Sequence, residues 1–137
     1  MAKILLFLFL ISIVSQAQVW VKKDATVINT KKNLQWEDST EVGEKLYIWK
    51  MAKAHCASME FAGFSDWRLP SHSELQSLSK IGKGNALFSH LGNTLYWSNE
   101  IDAKDELNAY VVYAPNGFLS TSDKCDKNYA ICVRNTK

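Results

Sequence analysis

The sequence lacks an excess of charge of either sign. It has 16 lysines and arginines against 14 aspartates and glutamates, a formal net charge of +2. Proteins that bind nucleic acid or strongly anionic surfaces normally carry a basic excess or a basic stripe. The Lys22-Lys23 and Lys31-Lys32 pairs are separated by polar turn-forming residues and are typical of exposed hairpins. Nucleic acid is therefore not an expected partner.

The sequence also lacks a second long apolar run. The first, from Ile4 to Val14, follows Lys3 and precedes Ser15-Gln16-Ala17, which is the three-part pattern of a secretory signal peptide. The run is shorter than the roughly 20 residues that a membrane-spanning helix needs, and no cysteine at the cleavage point offers a lipid anchor. We expect residues 1–17 to be removed and residues 18–137 to be a soluble exported domain, periplasmic or extracellular. The alternative is an uncleaved N-terminal anchor helix.

A recognisable catalytic motif is absent as well. His55, His72 and His90 are isolated from any Gly-x-Ser-x-Gly pattern or zinc-ligand spacing. On a helix, His55 would lie about 100° from its neighbour Cys56, so the two would not face each other as a catalytic pair. We therefore do not expect an enzyme, a metal centre or a cofactor, apart from the calcium hypothesis given below.

Cysteines are few, at positions 56, 125 and 132. Export favours a disulfide and leaves one thiol unpaired. The residues by themselves leave all three single bridges open. A bridge between Cys56 and Cys132 would restrict the unfolded chain most, by about 4 kcal/mol in the loop-entropy account.

The first half of residues 18–137 predicts a hairpin followed by a helix. Val19–Ile28 and Leu34–Trp36 have strand-like patterns, and the polar residues 37–45 indicate a loop. The next segment, Leu46–Met59, predicts a helix that stops by Gly63. Its apolar face comprises Trp49, Ala52, Cys56 and Met59.

A second helix is predicted directly after Pro70. Ser71 is placed to cap its first turn and Glu74 to close a capping box, with Leu75 and Leu78 pointing inward. Residues 79–94 contain three glycines and two asparagines and indicate a long loop with a few apolar anchors. Long loops often carry function.

Short strands are predicted for the last third. They are Leu95–Ser98, Ala109–Ala114 and Tyr129–Arg134, with a turn at Pro115-Asn116-Gly117. There are no internal repeats. Strands, two helices, a loop and strands together indicate an α+β fold with an antiparallel sheet.

Several landmarks occur together between Val19 and Arg134. The most specific are the block Asp66-Trp67-Arg68-Leu69-Pro70-Ser71 and the terminal Cys132-Val133-Arg134. The others are Leu34-Gln35-Trp36, Trp49 ahead of a helix that bears Cys56, Gly63-Phe64-Ser65, Glu74-Leu75 and Tyr96-Trp97-Ser98. Together they resemble the Lcl C-terminal domain family, also called the DUF1566 family, over nearly all of residues 18–137.

The resemblance implies a variant of the C-type-lectin-like fold, in which the chain ends pair in a sheet, two helices flank it and a long loop region projects. It also implies a disulfide between Cys56 and Cys132. Cys125 then has no counterpart and is left as a free thiol, an intermolecular bridge or a mispaired alternative. The calcium-dependent lectin signatures Glu-Pro-Asn and Trp-Asn-Asp are missing, so sugar binding through that calcium site is not implied. The best understood members resemble adhesins that bind sulfated polysaccharide.

The segment Asp66-Trp67-Arg68-Leu69-Pro70 has two interpretations. Arg and Trp are common at binding hot spots, which makes Arg68 a candidate ligand-binding residue. The structural interpretation is preferred, because an Arg stem beside Trp67, with its head on Asp66 or a carbonyl, would fix the start of the second helix.

An acidic segment follows Trp97. Glu100, Asp102, Asp105 and Glu106 place four carboxylates within seven residues, and oxygen ligands are what calcium requires. The segment lacks the spacing and glycine of an EF-hand, so a solvated loop is the alternative. The candidate ligand-binding residues are Trp97, Arg68, Glu100, Asp102 and Asp105. The aromatic residues considered for stacking on a sugar ring are Tyr96, Trp97, Tyr110, Tyr113 and Phe118.

The sequence therefore predicts an exported, non-catalytic binding module that contacts a glycan or an envelope protein. The alternative is a structural or assembly subunit that uses Cys125 for an intermolecular bridge. A third hypothesis comes from a faint resemblance of Arg68-Leu69-Pro70-Ser71 and Glu74-Leu75 to formylglycine-generating enzymes. It requires Cys125 and Cys132 to act together.

Overall fold

The computed structural model describes residues 19–81 and 87–137, with Ile81 described by its backbone alone. The expected signal peptide, residues 1–17, lies outside the described residues, as do residues 82–86 of the predicted loop. Within the two described ranges, no helix is long and apolar enough to cross a membrane.

Nine strands and three helices make up the described chain, an α+β fold as predicted. In chain order they are β1 (Trp20–Lys23), β2 (Thr26–Asn29), β3 (Leu34–Glu37), α1 (Glu41–Glu44), β4 (Leu46–Tyr47), α2 (Trp49–Ser58), α3 (His72–Ser77), a 3-10 turn (Leu78–Ile81), β5 (Leu95–Ile101), β6 (Asn108–Tyr113), β7 (Phe118–Asp123), β8 (Asn128–Tyr129) and β9 (Val133–Asn135).

The strands form two sheets. The smaller has the order β1-β2-β3-β9 and is antiparallel throughout. The larger has the order β4-β8-β5-β6-β7 and is antiparallel except for a parallel bridge between β5 and β8. Because β9 pairs with β3, strands from the two ends of the described chain lie in one sheet.

The larger sheet has a hydrophobic cluster on each face, because successive side chains of a strand point to opposite sides. Tyr96 and Val112 pack on the side of α3 and the smaller sheet, whereas Trp97 and Val111 pack on the side of α2. The first cluster comprises Val27, Leu34, Trp36, Val42, Leu75, Leu78, Phe88, Tyr96, Val112, Ala114, Ile131 and Val133. The second comprises Tyr47, Trp49, Ala52, Cys56, Trp67, Leu69, Trp97, Ala109, Val111, Ala130 and Cys132.

A disulfide between Cys56 and Cys132 joins α2 to the residue before β9, as the family resemblance implies. The two Cα atoms are 5.5 Å apart and the cysteines are 76 residues apart in sequence. Cys125 is a free, exposed thiol. The formylglycine-type hypothesis needs Cys125 and Cys132 as a working pair, so the bridge to Cys56 removes its basis.

Both predicted helices form, but the first begins at Trp49 rather than at Leu46, because Leu46 and Tyr47 pair with β8 as strand β4. Trp49, Ala52 and Cys56 are buried on α2. At the start of α3, Ser71 Oγ accepts the Glu74 N–H at 3.1 Å, while Glu74 Oε1 accepts the Ser71 N–H at 2.8 Å. The predicted capping box is therefore confirmed.

Other element assignments also differ from prediction. Residues 19–28 form two strands, β1 and β2, because a turn at Asp24 with a φ of 54° interrupts them. The helix stops at Ser58 rather than near Gly63, which lies in a turn with a φ of 83°. The segment from Tyr129 to Arg134 supplies one strand to each sheet, and β7 had no prediction of its own.

The segment from residue 37 to residue 45 is more ordered than the predicted loop. It contains α1, and its first two residues, Glu37 and Asp38, are buried acids. Their carboxylates accept backbone N–H groups, which compensates for their burial. The prediction of a loop, which was based on the polarity of these residues, was therefore wrong for this segment.

Candidate functional site

The Asp66–Pro70 segment is attached to the smaller sheet. The backbone N–H and C=O of Arg68 pair with those of Val133, at 2.9 Å each, so the segment covers the outer edge of β9. Trp67 is buried, and its indole N–H donates to the carbonyls of Phe61 and Phe64, both at 3.1 Å. These contacts agree with the structural interpretation of the segment.

Arg68 lies at the start of α3 and is already paired. Its two terminal nitrogens donate to the two carboxylate oxygens of Glu74 at 2.8 and 2.9 Å, and one also donates to Asn135 at 2.9 Å. The Glu74 hydrogen bonds raise the pKa of Arg68. Burial alone would raise the pKa of Glu74, but the bonds from Arg68 and Ser71 outweigh it and lower that pKa. A guanidinium held by both carboxylate oxygens is not presented to a ligand.

The predicted partner of Arg68 was Asp66 or a carbonyl, and only the carbonyl part is correct. Arg68 donates to the Leu69 carbonyl at 3.3 Å. Asp66 instead accepts from Arg134 Nε at 2.6 Å, and this bond lowers the pKa of Asp66. Arg134 also donates to Gln35 at 2.7 Å and lies over the Phe64 ring at 3.6 Å. We call this set of contacts among Asp66, Arg68, Glu74, Gln35 and Arg134 the C-terminal lock.

The acidic segment does not converge on one point. Glu100 binds the backbone N–H of His72 at 3.0 Å and His72 Nδ1 at 2.6 Å, at the beginning of α3. Asp102 and Asp105 each accept a backbone N–H two residues further on, at 3.0 Å, within the β5–β6 connection. These are the hydrogen bonds of a solvated turn, so they do not support the calcium hypothesis.

Trp97 is completely buried and offers no surface to a ligand. Its indole N–H donates to the Tyr47 carbonyl at 2.7 Å. Tyr96 is buried beside it on the other face of the sheet, with its hydroxyl bonded to Val42, and burial raises its pKa to about 12. The placement of Trp97 among the candidate ligand-binding residues was therefore wrong, because β5 is a central strand covered on both faces.

A buried carboxylate lies beside the disulfide. Glu37 accepts the Cys132 N–H at 2.7 Å and the Ser39 hydroxyl at 3.0 Å, yet burial outweighs these bonds and raises its pKa to about 7. One potential metal-ligand atom each from Glu37, His55 and Cys132 lies within 4.8 Å of the other two. The Cys132 sulfur is bonded to Cys56, so this set is not a metal site in the disulfide-bonded protein.

A shallow groove of about 490 Å³ lies at the β6–β7 turn, and we call it the hairpin groove. Its volume falls within the range of about 300–1,000 Å³ that is usual for small-ligand sites. The residues that line it are Asn93, Thr94, Leu95, Tyr113, Asn116, Phe118 and Ser120.

The floor of the hairpin groove is a row of three apolar side chains. Leu95 is directly opposite Tyr113, and Tyr113 is directly opposite Phe118. Residues opposite each other on neighbouring strands point to the same face of a sheet. The row therefore crosses β5, β6 and β7, and it ends at Phe118, a residue that is 65% exposed.

The polar groups beside this row have no hydrogen-bond partner among residues 19–81 and 87–137. Within the described part of the chain, the side chains of Asn93, Thr94 and Ser120 and the hydroxyl of Tyr113 make no hydrogen bond. Asn116 uses its oxygen for the Phe118 N–H at 2.9 Å and keeps its NH₂ group. These donors and acceptors are directed at solvent and are available to a ligand.

A second groove, of about 370 Å³, lies beside the C-terminal lock. It differs from the hairpin groove because its polar lining groups are hydrogen-bonded to one another. Its polar lining includes Thr26, Gln35 and Arg134. Gln35 donates to Thr26 at 2.9 Å and accepts from Arg134 at 2.7 Å. Because these groups satisfy one another, the hairpin groove is the better candidate for a binding site.

The hairpin groove is held in place by α3 and by the turn itself. Gly117 has a φ of 74°, and its carbonyl accepts the Gln76 side-chain N–H at 3.0 Å. A Cβ at this glycine would lie 3.0 Å from Ser79 Oγ. Positive φ and close approach both favour glycine, so the turn is fixed against the helix.

Part of this site could be predicted from the sequence. Tyr113 and Phe118 are among the aromatic residues considered for stacking on a sugar ring. Asn93, Thr94 and Ser120 were missed, because no spacing in the sequence shows that residues 93–95 and 113–120 meet. The Asn116-Gly117 turn signal was the available hint, since it places the two strands side by side.

These contacts define a small α+β domain whose Asp-Trp-Arg-Leu-Pro segment is attached to a C-terminal strand and whose helix α2 is bridged to the same region. The family model of the Lcl C-terminal domain matches residues 25–134, and the chain belongs to that family. The family expected from the sequence is thus confirmed. A comparison with curated proteins found no match.

Proposed function

We propose that the protein is an exported, non-catalytic module that binds a glycan through the hairpin groove. The observation that carries the proposal is the combination of an apolar row that ends at the exposed ring of Phe118 with polar side chains that have no hydrogen-bond partner among the described residues. Binding sites for small ligands typically combine an apolar lining with a few directed polar groups. A sugar ring offers the matching surfaces, an apolar C–H face and a rim of hydroxyls.

We further propose that the fold is a variant of the C-type-lectin-like fold. Support comes from the pairing of β3 with β9, the helices α2 and α3, the long connection after α3, and the disulfide from α2 to the residue before β9. The proposed sugar site differs from the calcium-dependent one of lectins, because the carboxylates of Glu100, Asp102 and Asp105 are used in turns and at the start of α3.

The experiment is a glycan array probed with the purified protein, with and without calcium. We expect binding in both conditions, and we expect Phe118→Ala to remove it because that ring supplies the exposed end of the row. Leu107→Ala is the matched control, since Leu107 is equally exposed, at 67%, but lies on the β5–β6 connection. Absence of binding to every polysaccharide in both conditions would refute the proposal, and binding to a protein ligand alone would replace it.

The second candidate function is assembly into an envelope complex through Cys125. It is favoured by one observation, the exposed free thiol between β7 and β8. Non-reducing electrophoresis of the protein from its native compartment tests it: a covalent adduct that Cys125→Ser abolishes is expected. A monomer whose Cys125 alkylates fully without reduction would end this candidate.

A further inference from the structure

Among the described residues, those that line the hairpin groove carry no charged side chain. Its seven residues are aliphatic, aromatic, hydroxyl-bearing or amide-bearing. Sulfate and carboxylate groups are bound mainly by charge-assisted hydrogen bonds from Arg or Lys. Lys53 and Lys124 lie at Trp49 instead, 3.6 and 4.8 Å from its ring centroid. An anionic sugar would lose hydration in the groove without gaining a counter-charge from any of the described lining residues.

The length of the apolar row limits the size of the ligand. Leu95, Tyr113 and Phe118 lie on three adjacent strands, and neighbouring strands are about 4.8 Å apart, so the row is about 10 Å long. This is about the length of two linked pyranose rings. The row is open at Phe118 and is more covered at Leu95, which is half-buried against the second hydrophobic cluster.

Polar side chains lie at both ends of the row. Asn93 and Thr94 precede Leu95 at one end of the row, and Asn116 and Ser120 flank Phe118 at the other. Side-chain amides donate and accept at once, which suits hydroxyl groups that do the same.

We infer that the hairpin groove takes an uncharged pyranose segment of about two rings, stacked face-on along the row from Leu95 to Phe118. The inference rests on the proposed glycan-binding function and adds to it the class of sugar. Because recognition uses apolar contact and neutral hydrogen bonds, binding depends little on salt.

The test is a calorimetric titration of the purified protein with a neutral β-1,4-linked glucose tetramer and with a heavily sulfated oligosaccharide of similar length, each at 50 and 500 mM NaCl. We expect the neutral tetramer to bind with an affinity that changes less than twofold between the two salt concentrations. Phe118→Ala should weaken this binding at least tenfold, Asn116→Ala should weaken it severalfold, and Leu107→Ala should leave it unchanged.

The outcomes separate the inference from the function on which it rests. Binding of the sulfated oligosaccharide alone, with at least a tenfold loss at high salt, would overturn the neutral-sugar inference and leave glycan binding standing. Binding of the neutral tetramer that Phe118→Ala does not weaken would place the site elsewhere and would also overturn it. Failure of both ligands here and of every glycan on the array would refute the function as well.

Discussion

The C-terminal lock and the hairpin groove use polar side chains in opposite ways. In the lock, the guanidinium groups of Arg68 and Arg134 are each bonded to a carboxylate and to an amide side chain. In the groove, the hydroxyls and amides have solvent as their only partner within the described chain. Paired polar groups specify a fold, whereas unpaired groups beside an apolar row are suited to bind a ligand.

The comparison also explains why the most distinctive sequence motif is not the binding site. The Asp66–Pro70 segment contains the Arg and Trp that are frequent at hot spots. In this protein, however, both side chains are already bonded to other parts of the chain. The residues of the groove are chemically ordinary by comparison. Whether the polar side chains already have hydrogen-bond partners in the protein therefore distinguishes the two regions better than residue type does.

Removal of the disulfide should have the largest effect on stability. In a Cys56→Ala/Cys132→Ala variant, the unfolded chain loses a cross-link that spans 76 residues. We expect a decrease of about 4 kcal/mol in the free energy of unfolding, measured by urea denaturation. The Cys125→Ser variant is the control and should match the wild type. A decrease below about 1 kcal/mol would contradict the role given to the bridge.

Ionisation of Glu37 should have the next largest effect. Its pKa is about 7 in the folded protein against an ordinary value of 4.5, so the folded state holds the proton more tightly. The resulting stabilisation is complete below about pH 4.5 and is lost as the pH rises to about 7, a change of about 3 kcal/mol.

Glu37→Gln removes this titration and keeps an acceptor for the Cys132 N–H. Urea denaturation between pH 4 and pH 8 should therefore show a variant that gains on the wild type as the pH rises. Glu106→Gln, at an exposed position, is the control and should follow the wild-type profile. Parallel profiles for Glu37→Gln and the wild type would show that this carboxyl is not the titrating group.

A smaller effect is expected from the lock itself. Arg134→Met keeps an apolar stem on Phe64 but removes the bonds to Asp66 and Gln35, and it leaves the Gln35 oxygen buried without a donor. We expect a loss of about 2 kcal/mol. Lys127→Met, at an exposed position, should cost far less, and equal losses in thermal denaturation would mean that the Arg134 pairs add no stability.

The smallest effect on stability should come from the groove. Phe118→Ala and Asn116→Ala remove side chains that are exposed in the folded protein, so we expect changes of less than about 0.5 kcal/mol. Thermal denaturation measures this directly. A loss above about 2 kcal/mol would show that the groove is part of the folding core and would remove the contrast with the lock.

Much of the fold could be predicted from local patterns. The faces of α2 and the cap of α3 follow from spacings of three and four residues and from the Ser71/Glu74 capping box. The split of residues 129–134 between two sheets could not be predicted, because it depends on which distant strand each half meets. The burial of Glu37 was missed for a related reason, since its hydrogen-bond donor is at Cys132, 95 residues away.

The candidate site was less predictable than the fold. Trp97 and Phe118 look alike in sequence, as aromatic residues in strands of alternating pattern. Trp97 belongs to a strand with neighbours on both sides, whereas Phe118 begins the strand at the edge of the larger sheet. Exposure of an aromatic residue is thus set by strand order, which is a property of the whole chain.

The attachment of β9 to β3 has a consequence for how the protein folds. Gln35 binds Arg134 across 99 residues, so the smaller sheet has a high contact order and its closure is entropically slow. Until Val133 arrives, the hairpin of β2 and β3 lacks the strand beside it and leaves Trp36 without part of its cover. A nascent or truncated chain that stops before Cys132 should therefore remain expanded, prone to aggregation and sensitive to proteases. It should become compact in a single late step once those last residues are available.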